Sequence, residues 1–167
     1  MTDAASLPSS LGRRKFLVVA DDSPEFAAAL KYACRRASST GGCVAMLKVI
    51  VPAEFEHWSG VREEIERQER EEAEALLQSL ADRVVAETGL APEFIIKHAD
   101  GVRTALKQVV AADPTIKILI LATSTAGRGP GPLISAIAKE GVGFSGRKLP
   151  VTVVPGDLTD AEIEELA

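Results

Sequence analysis

Five short apolar runs alternate with helical patterns along the chain, and this alternation restricts the possible fold more than any other feature. The runs occupy residues 15–20, 43–51, 92–98, 116–123 and 150–154, and several are rich in valine and isoleucine. Near-continuous apolar runs of this length are typical of strands buried on both faces of a parallel sheet. The pattern therefore predicts an α/β fold, an open, doubly wound, five-stranded parallel sheet with helices on both faces.

The ends of the predicted helices carry their own signals. Ser23 is a good N-cap and Pro24 suits the first helical position, so the first helix is predicted to begin at Pro24 and to end at Gly41. The second helix, over residues 61–88, is mostly charged in its first half and apolar in its second half. We therefore expect only its second half to pack on the sheet.

The chain end carries a capping box, because Thr159 is followed three positions later by Glu162. Ile163 and Leu166 then share one side of a short acidic helix, which docks either on the body of the domain or on a partner. The sequence thus divides into a flexible N-terminal arm (1–13), one domain (14–156) and a short acidic C-terminal helix (157–167).

Length and charge narrow the function classes. A chain of 167 residues fits one domain, and its net charge of −5 argues against general nucleic-acid binding. No apolar run approaches the roughly 20 residues that span a bilayer, and the N-terminal residues lack the apolar core of a signal peptide. Cys34 and Cys43 suggest no disulfide framework and are expected to pack as small apolar side chains. We therefore expect a reduced, cytoplasmic protein without membrane contact.

The stretch 122–136 (ATSTAGRGPGPLISA) is the most prominent candidate for a ligand site. It follows the fourth apolar run, contains three glycines and two prolines, and leads into a helical pattern. In open parallel sheets, ligands bind in the crevice beyond the carboxyl ends of the strands. A glycine-rich loop between a strand and a helix can also cradle a phosphate. Composition alone therefore predicts a phosphate site in this stretch.

The motifs and their order resemble the universal stress protein family over residues 15–156. Residues 20–23 (ADDS) stand where the family has a strand ending in Val-Asp-Gly-Ser, and residues 48–50 (KVI) stand at its His-Val-Val step. Asp100-Gly101 matches the turn after the third strand, and Pro150-Val151 matches the Pro-Val pair before the last strand. Each motif is short, and their joint order makes the resemblance specific.

This resemblance implies a sheet of order 3-2-1-4-5, a homodimer formed through the last strand (151–154) and a stress-linked regulatory role. Some members bind ATP through a spaced sequence pattern. It consists of a glycine, any two residues, a second glycine, any nine residues, a third glycine and then serine or threonine. Without gaps, that pattern falls here on Ala122, Thr125, Ser135 and Ala136, so its glycines and final hydroxyl are missing. The β-branched Thr125 is the hardest of these to fit to the family's loop shape. The resemblance therefore implies a degenerate ATP-binding loop.

The glycines of this loop are displaced, not lost, since Gly127 and Gly129 flank Arg128. One interpretation is a rebuilt anion site, and the alternative is a tight loop that crosses the sheet edge. By resemblance, Asp21 matches the position that contacts the adenine end of the nucleotide and Val49 stands near the adenine pocket. Alternatively, the Asp21 carboxylate stabilises the N-terminus of the first helix, and Val49 packs in the core. The candidate ligand-binding residues are Ala20, Asp21, Val49, Thr123, Ser124, Thr125, Gly127, Arg128, Gly129 and Ser135.

The sequence shows little sign of a catalytic or metal-binding motif. There is no recognisable Ser/His/Asp or Cys/His arrangement and no P-loop. His57, beside Trp58, is expected to be a surface residue, and His98 ends a strand without a recognisable second metal ligand. The leading hypothesis is a cytoplasmic, dimeric regulatory module with a degenerate ATP-binding loop. The alternative is a sensor that binds ATP, another adenine nucleotide or another anion near residues 122–136. A slow nucleotide hydrolase is a third possibility, for which no water-activating base is evident.

Overall fold

In a computed structural model, the described residues form a parallel five-stranded sheet with helices on both faces. The structure describes residues 12–52, 59–125, 127, 129–141 and 147–167. Strands and helices alternate along the chain, as the apolar runs predict. The elements are β1 (Lys15–Val19), α1 (Phe26–Thr40), β2 (Cys43–Ile50), α2 (Ser59–Thr88), β3 (Glu93–His98), α3 (Val102–Ala112), β4 (Ile116–Ala122), α4 (Pro132–Glu140), β5 (Val151–Val154) and α5 (Asp160–Leu166).

The strand order is β3-β2-β1-β4-β5, and each neighbouring pair is parallel. This confirms the predicted α/β class and the order 3-2-1-4-5. β1 lies at the centre, where Leu17 is opposite Ala45 of β2 on one side and Leu119 of β4 on the other. The order reverses between β1 and β4, so a crevice opens between the carboxyl ends of these two strands.

Alternate side chains of the strands enter two separate cores. Phe16 and Val18 of β1 pack on one face of the sheet with residues of α1, α2 and α5. Leu17 packs on the other face with residues of α3 and α4. Because both faces are covered, the central strands are apolar at nearly every position.

The two cysteines lie within this interior. Cys34 and Cys43 are both buried and neither forms a disulfide. Burial raises the pKa of the Cys34 thiol to about 12. The thiol is therefore protonated at neutral pH and packs as a small apolar group.

The start of α1 differs from the prediction. The helix begins at Phe26, with Glu25 at the N-cap position, so the expected start at Pro24 with a Ser23 cap is wrong. The Ser23 hydroxyl donates instead to Oδ1 of Asp21 at 2.5 Å, and the Ser23 N–H donates to the same oxygen. Local hydrogen bonds of this kind compete with helix formation. The predicted end is confirmed, since Gly41 caps the helix in the left-handed conformation with φ 69°.

The long helix α2 is divided as its sequence indicates. Its first half is largely exposed and carries ion pairs between residues three or four apart, such as Arg70 with Glu74. Exposed pairs of this kind contribute only about 0.3–0.5 kcal/mol each. Its second half is buried against α1 and the sheet through Ala73, Leu77, Ala81 and Val84.

The C-terminal helix α5 docks on the body of the domain, which decides between the two alternatives for it. Thr159 and Glu162 form the predicted capping box. Ile163 is buried in the same core as α1, and Lys31 of α1 forms ion pairs with Asp160 and Glu164. The division into arm, domain and C-terminal helix remains a prediction, because residues 1–11 of the arm lie outside the described part of the chain.

Within the described ranges, no helix combines the length and the apolar character needed to cross a bilayer. The same residues contain no group of three or more histidine, cysteine or acidic side chains placed to hold a metal ion. The loop with His57 and Trp58 lies outside the described residues.

Candidate functional site

A cavity of about 640 Å³ lies at the carboxyl ends of β1 and β4. This volume falls within the range of small-molecule sites, and the position is the point at which the strand order reverses. The cavity is enclosed by the ends of both strands, the first turns of α1 and α3, and the loop and first turns of α4. Its apolar wall includes Val19, Phe26, Val102, Leu121, Leu133 and Ile134.

The Glu25 carboxylate lies beside this cavity and is the central polar group of the site. Glu25 is only 8% exposed. Its Oε1 accepts hydrogen bonds from the Thr125 N–H at 2.9 Å and from the Thr125 hydroxyl at 3.2 Å. The backbone hydrogen bond from Thr125 is the main reason that the pKa of Glu25 falls from 4.5 to about 2. Glu25 is therefore ionised at neutral pH, and the loop after β4 already holds an anion of the protein itself.

A second set of hydrogen bonds holds this loop to the end of β5. The Thr123 N–H donates to the Val154 carbonyl at 2.9 Å, and the Thr123 hydroxyl accepts from the Gly156 N–H at 3.2 Å. Gly156 packs directly behind Glu25, because a Cβ at this position would lie 2.6 Å from Cγ of Glu25 and would overlap the Thr123 carbonyl oxygen. The site therefore depends on three separated segments of the chain.

The loop closes on itself before α4 begins. The Ser124 N–H donates to the Pro130 carbonyl at 3.4 Å. Gly127, Gly129 and Gly131 have φ values of 73°, 85° and 104°, which side chains with a Cβ rarely adopt. The described residues of the loop therefore require glycine at these positions, and one internal hydrogen bond joins Ser124 to Pro130.

The structure brings some of the candidate residues to the cavity and places others elsewhere. Asp21 and Ser124 line the cavity. Thr123 and Thr125 lie in the adjoining loop, where their hydroxyls bond to Gly156 and Glu25. Ala20 is buried in the core, and its N–H donates to the Leu47 carbonyl of β2.

The remaining candidates do not form part of the wall described above. Val49 lines a separate recess between β2 and α2 and packs against the second core. Gly127 and Gly129 are exposed in the loop, and Ser135 is a half-buried residue of α4. Arg128 lies outside the described residues.

Three residues of the site were missed by sequence reasoning. Glu25 follows Ser23-Pro24 at the junction of β1 and α1, and its position at that junction is the signal that could have marked it. Arg103 lines the cavity from the start of α3 and forms an ion pair with Glu140 of α4. Gly156 follows the last strand, and its close packing against Glu25 has no local signal in the sequence. Among the described lining residues, the ionisable groups are Asp21, Glu25 and Arg103, and each has a partner within the protein.

These groups suit binding better than catalysis. Asp21 is engaged by Ser23, Glu25 by Thr125 and Arg103 by Glu140, so each of the three holds the protein together at the cavity. A general base must reach a proton on its substrate, and here the carboxylates are used for internal hydrogen bonds. The arrangement therefore makes the crevice a candidate site for binding a ligand.

A parallel sheet of this order, with a crevice at its switch point, places the protein among the small doubly wound α/β domains. The sequence profile of the universal stress protein family matches residues 12–140. The chain belongs to this family. No curated protein sequence matches it.

Solved structures of universal stress proteins share the fold. The universal stress protein UspA from Lactobacillus plantarum superposes with a TM-score of 0.68 at 17% identity, over 85% of this chain and 98% of that one. A universal stress protein from Archaeoglobus fulgidus in complex with dAMP gives 0.54 at 14% identity, over 84% and 96%. Another, in complex with cAMP, gives 0.60 at 16% identity, over 87% and 98%. At these identities the similarity establishes the fold.

Proposed function

We propose that the protein is a cytoplasmic, stress-linked regulatory module whose ATP-binding loop is degenerate. The family membership supports a regulatory role. The family's ATP-binding pattern, aligned without gaps, has none of its glycines here, because it falls on Ala122, Thr125, Ser135 and Ala136. One contact carries the proposal, namely the hydrogen bond between the Thr125 N–H and the Glu25 carboxylate. A backbone N–H that would serve a phosphate oxygen in a phosphate-binding loop is bonded here to an internal anion.

Nucleotides are expected to leave the melting temperature unchanged. Related structures hold dAMP and cAMP, so ATP, AMP and cAMP at millimolar concentration are the appropriate ligands. A ligand that binds the folded state must stabilise it, by about 2.7 kcal/mol at 100 times its dissociation constant. Differential scanning fluorimetry measures the effect. A concentration-dependent rise in the melting temperature would contradict the degenerate loop.

The second candidate function is a sensor of a nucleotide or another anion. For a nucleotide it is supported by Asp21, which lines the cavity and, by resemblance, stands at the family position that contacts the adenine end. If a nucleotide does raise the melting temperature, Asp21→Ala discriminates between the sites. Loss of the rise in that variant would support a nucleotide in the switch-point cavity. A rise that persists in the variant would locate the nucleotide elsewhere.

We further propose that the protein forms a homodimer through β5. This four-residue strand lies at the edge of the sheet, and Val153 within it is 43% exposed. Apolar edge strands invite pairing with another chain. We expect the wild type to sediment as a dimer at micromolar concentration and Val153→Lys to sediment as a monomer.

The matched control is Val61→Lys. Val61 is also an exposed valine, at 49%, but it belongs to α2 and not to the edge strand β5. It should leave the sedimentation coefficient of the wild type unchanged. A wild-type monomer at micromolar concentration, or a Val153→Lys dimer as stable as the Val61→Lys dimer, would rule out the β5 interface.

A further inference from the structure

We propose that the cavity at the ends of β1 and β4 binds an uncharged, mainly apolar small molecule that carries a hydrogen-bond donor. This inference rests on the proposed function, because the cavity is available to such a ligand only if no nucleotide is bound there. It goes further by naming the chemical class of the ligand. Three observations carry it: the chemistry of the wall, the pairing of the charges and the use of the loop donors.

The wall is mainly apolar, and its apolar side chains come from several elements. Phe26 contributes from α1, Val102 from α3, Leu121 from β4, and Leu133 and Ile134 from α4. These side chains come from both faces of the sheet, so a ligand would be enclosed by apolar groups on opposite sides. Apolar surface removed from water in this way drives binding without any charge on the ligand.

The charged groups at the cavity each have a hydrogen-bond or ion-pair partner within the protein. Glu25 accepts from Thr125, and Asp21 accepts from the N–H and hydroxyl of Ser23. Arg103 is paired with Glu140. An anionic ligand would meet two carboxylates, and an ionic group buried without a partner is strongly disfavoured. Among the described lining residues, the pattern of charge therefore disfavours an anionic ligand.

The loop donors point to the same class. The Thr125 N–H is bonded to Glu25, and the Ser124 N–H is bonded to the Pro130 carbonyl. The Ser23 hydroxyl uses its proton on Asp21, and its oxygen keeps lone pairs that can accept a hydrogen bond. Ser23 lines the cavity, so a ligand with one O–H or N–H group fits this edge better than a phosphate does.

A pair of fluorescent probes tests the inference directly. N-phenyl-1-naphthylamine is uncharged and has one N–H, and 8-anilino-1-naphthalenesulfonate adds a sulfonate to the same skeleton. We expect saturable binding of the uncharged probe. The dissociation constant of the sulfonate should be higher by about tenfold or more. Equal or tighter binding of the sulfonate would overturn the inference.

Substitutions on α4 locate the probe. Ala136 lines the cavity, whereas Ala138 of the same helix is exposed and does not contribute to its wall. Ala136→Phe should weaken binding of the uncharged probe about tenfold or more, and Ala138→Phe should leave it unchanged. If Ala136→Phe fails to fold, Val102→Trp fills the cavity from α3 and carries the same expectation. Unchanged affinity in a folded, filled variant would overturn the inference.

Competition with ATP separates failure of this inference from failure of the proposed function. No saturable binding of the uncharged probe, together with a melting temperature that ATP does not change, would overturn the inference alone. Displacement of the probe by ATP would overturn both. Probe binding that persists in millimolar ATP supports both.

Discussion

Gly156→Ala is expected to lower the melting temperature by about 10 °C, which corresponds to roughly 3 kcal/mol for a chain of this size. The added methyl group would overlap the Thr123 carbonyl oxygen and lie 2.6 Å from Cγ and 2.8 Å from Cβ of Glu25. The first of these obstacles is backbone and cannot rotate away. The segment after β5 must therefore move, and the hydrogen bond from the Gly156 N–H to Thr123 would be lost with it.

The same substitution should also disturb the site, because Gly156 packs behind Glu25. We expect weaker binding of N-phenyl-1-naphthylamine in any Gly156→Ala protein that folds. Thermal unfolding followed by circular dichroism measures the stability effect, and probe titration measures the effect on the cavity.

Gly101→Ala is the matched control. A Cβ at Gly101 would meet no atom within 4 Å, and its φ of 179° is open to any residue. The change in stability should therefore stay within about 0.5 kcal/mol. If Gly156→Ala were as stable as Gly101→Ala, the close packing of Gly156 against Thr123 and Glu25 would be contradicted.

The second large effect is expected on acid stability, and it depends on Glu25. The pKa of Glu25 in the folded protein is about 2, below its ordinary value of 4.5. When folding lowers the pKa of a group, its ionised form stabilises the folded state. This stabilisation is complete at pH values above the pKa that the group has in the unfolded chain. That stabilisation is lost as the pH falls from about 4.5 toward about 2.

Glu25→Gln isolates this contribution, because glutamine keeps an oxygen that can accept from Thr125 but cannot titrate. We expect the wild type to be the more stable protein at neutral pH, and its advantage to shrink steadily through the acid range. Other acidic groups titrate in both proteins and cancel in the difference. Melting curves of the two proteins from neutral to acid pH measure the effect, and a constant difference would contradict it.

The fold could be predicted well because the relevant signals are local. The run around Phe16, Leu17 and Val18 is apolar at every position, and the structure buries these residues on alternate faces of the sheet. The end of α1 at Gly41 and the capping box at Thr159 are also determined by neighbours in the sequence. The start of α1 was predicted wrongly because the Ser23 hydroxyl donates to Asp21 and does not cap the helix. Both partners are close in sequence, and the pattern does not reveal which one Ser23 bonds.

The site was less predictable because its decisive contacts are not local. Glu25 and Thr125 are 100 positions apart, and only the folded sheet brings them together. Arg147 shows the same limit, since it donates to the carbonyls of Val110, Asp113 and Ile116 from a segment that reads simply as a glycine-rich loop. Sequence reasoning could identify the crevice from the strand order, but could not assign the partners of its polar groups.

The Glu25 carboxylate already accepts the hydrogen bond of the Thr125 N–H, a backbone donor of the loop after β4. Carbon-13 NMR of the Glu25 carboxyl carbon, followed against pH, measures the effect of this bond. We expect a carboxylate that stays ionised as the pH is lowered through 4.5 and titrates only near a pKa of about 2. A midpoint at or above 4.5 would show that the Thr125 N–H does not stabilise this anion, and the proposed degenerate loop would lose the contact on which it rests.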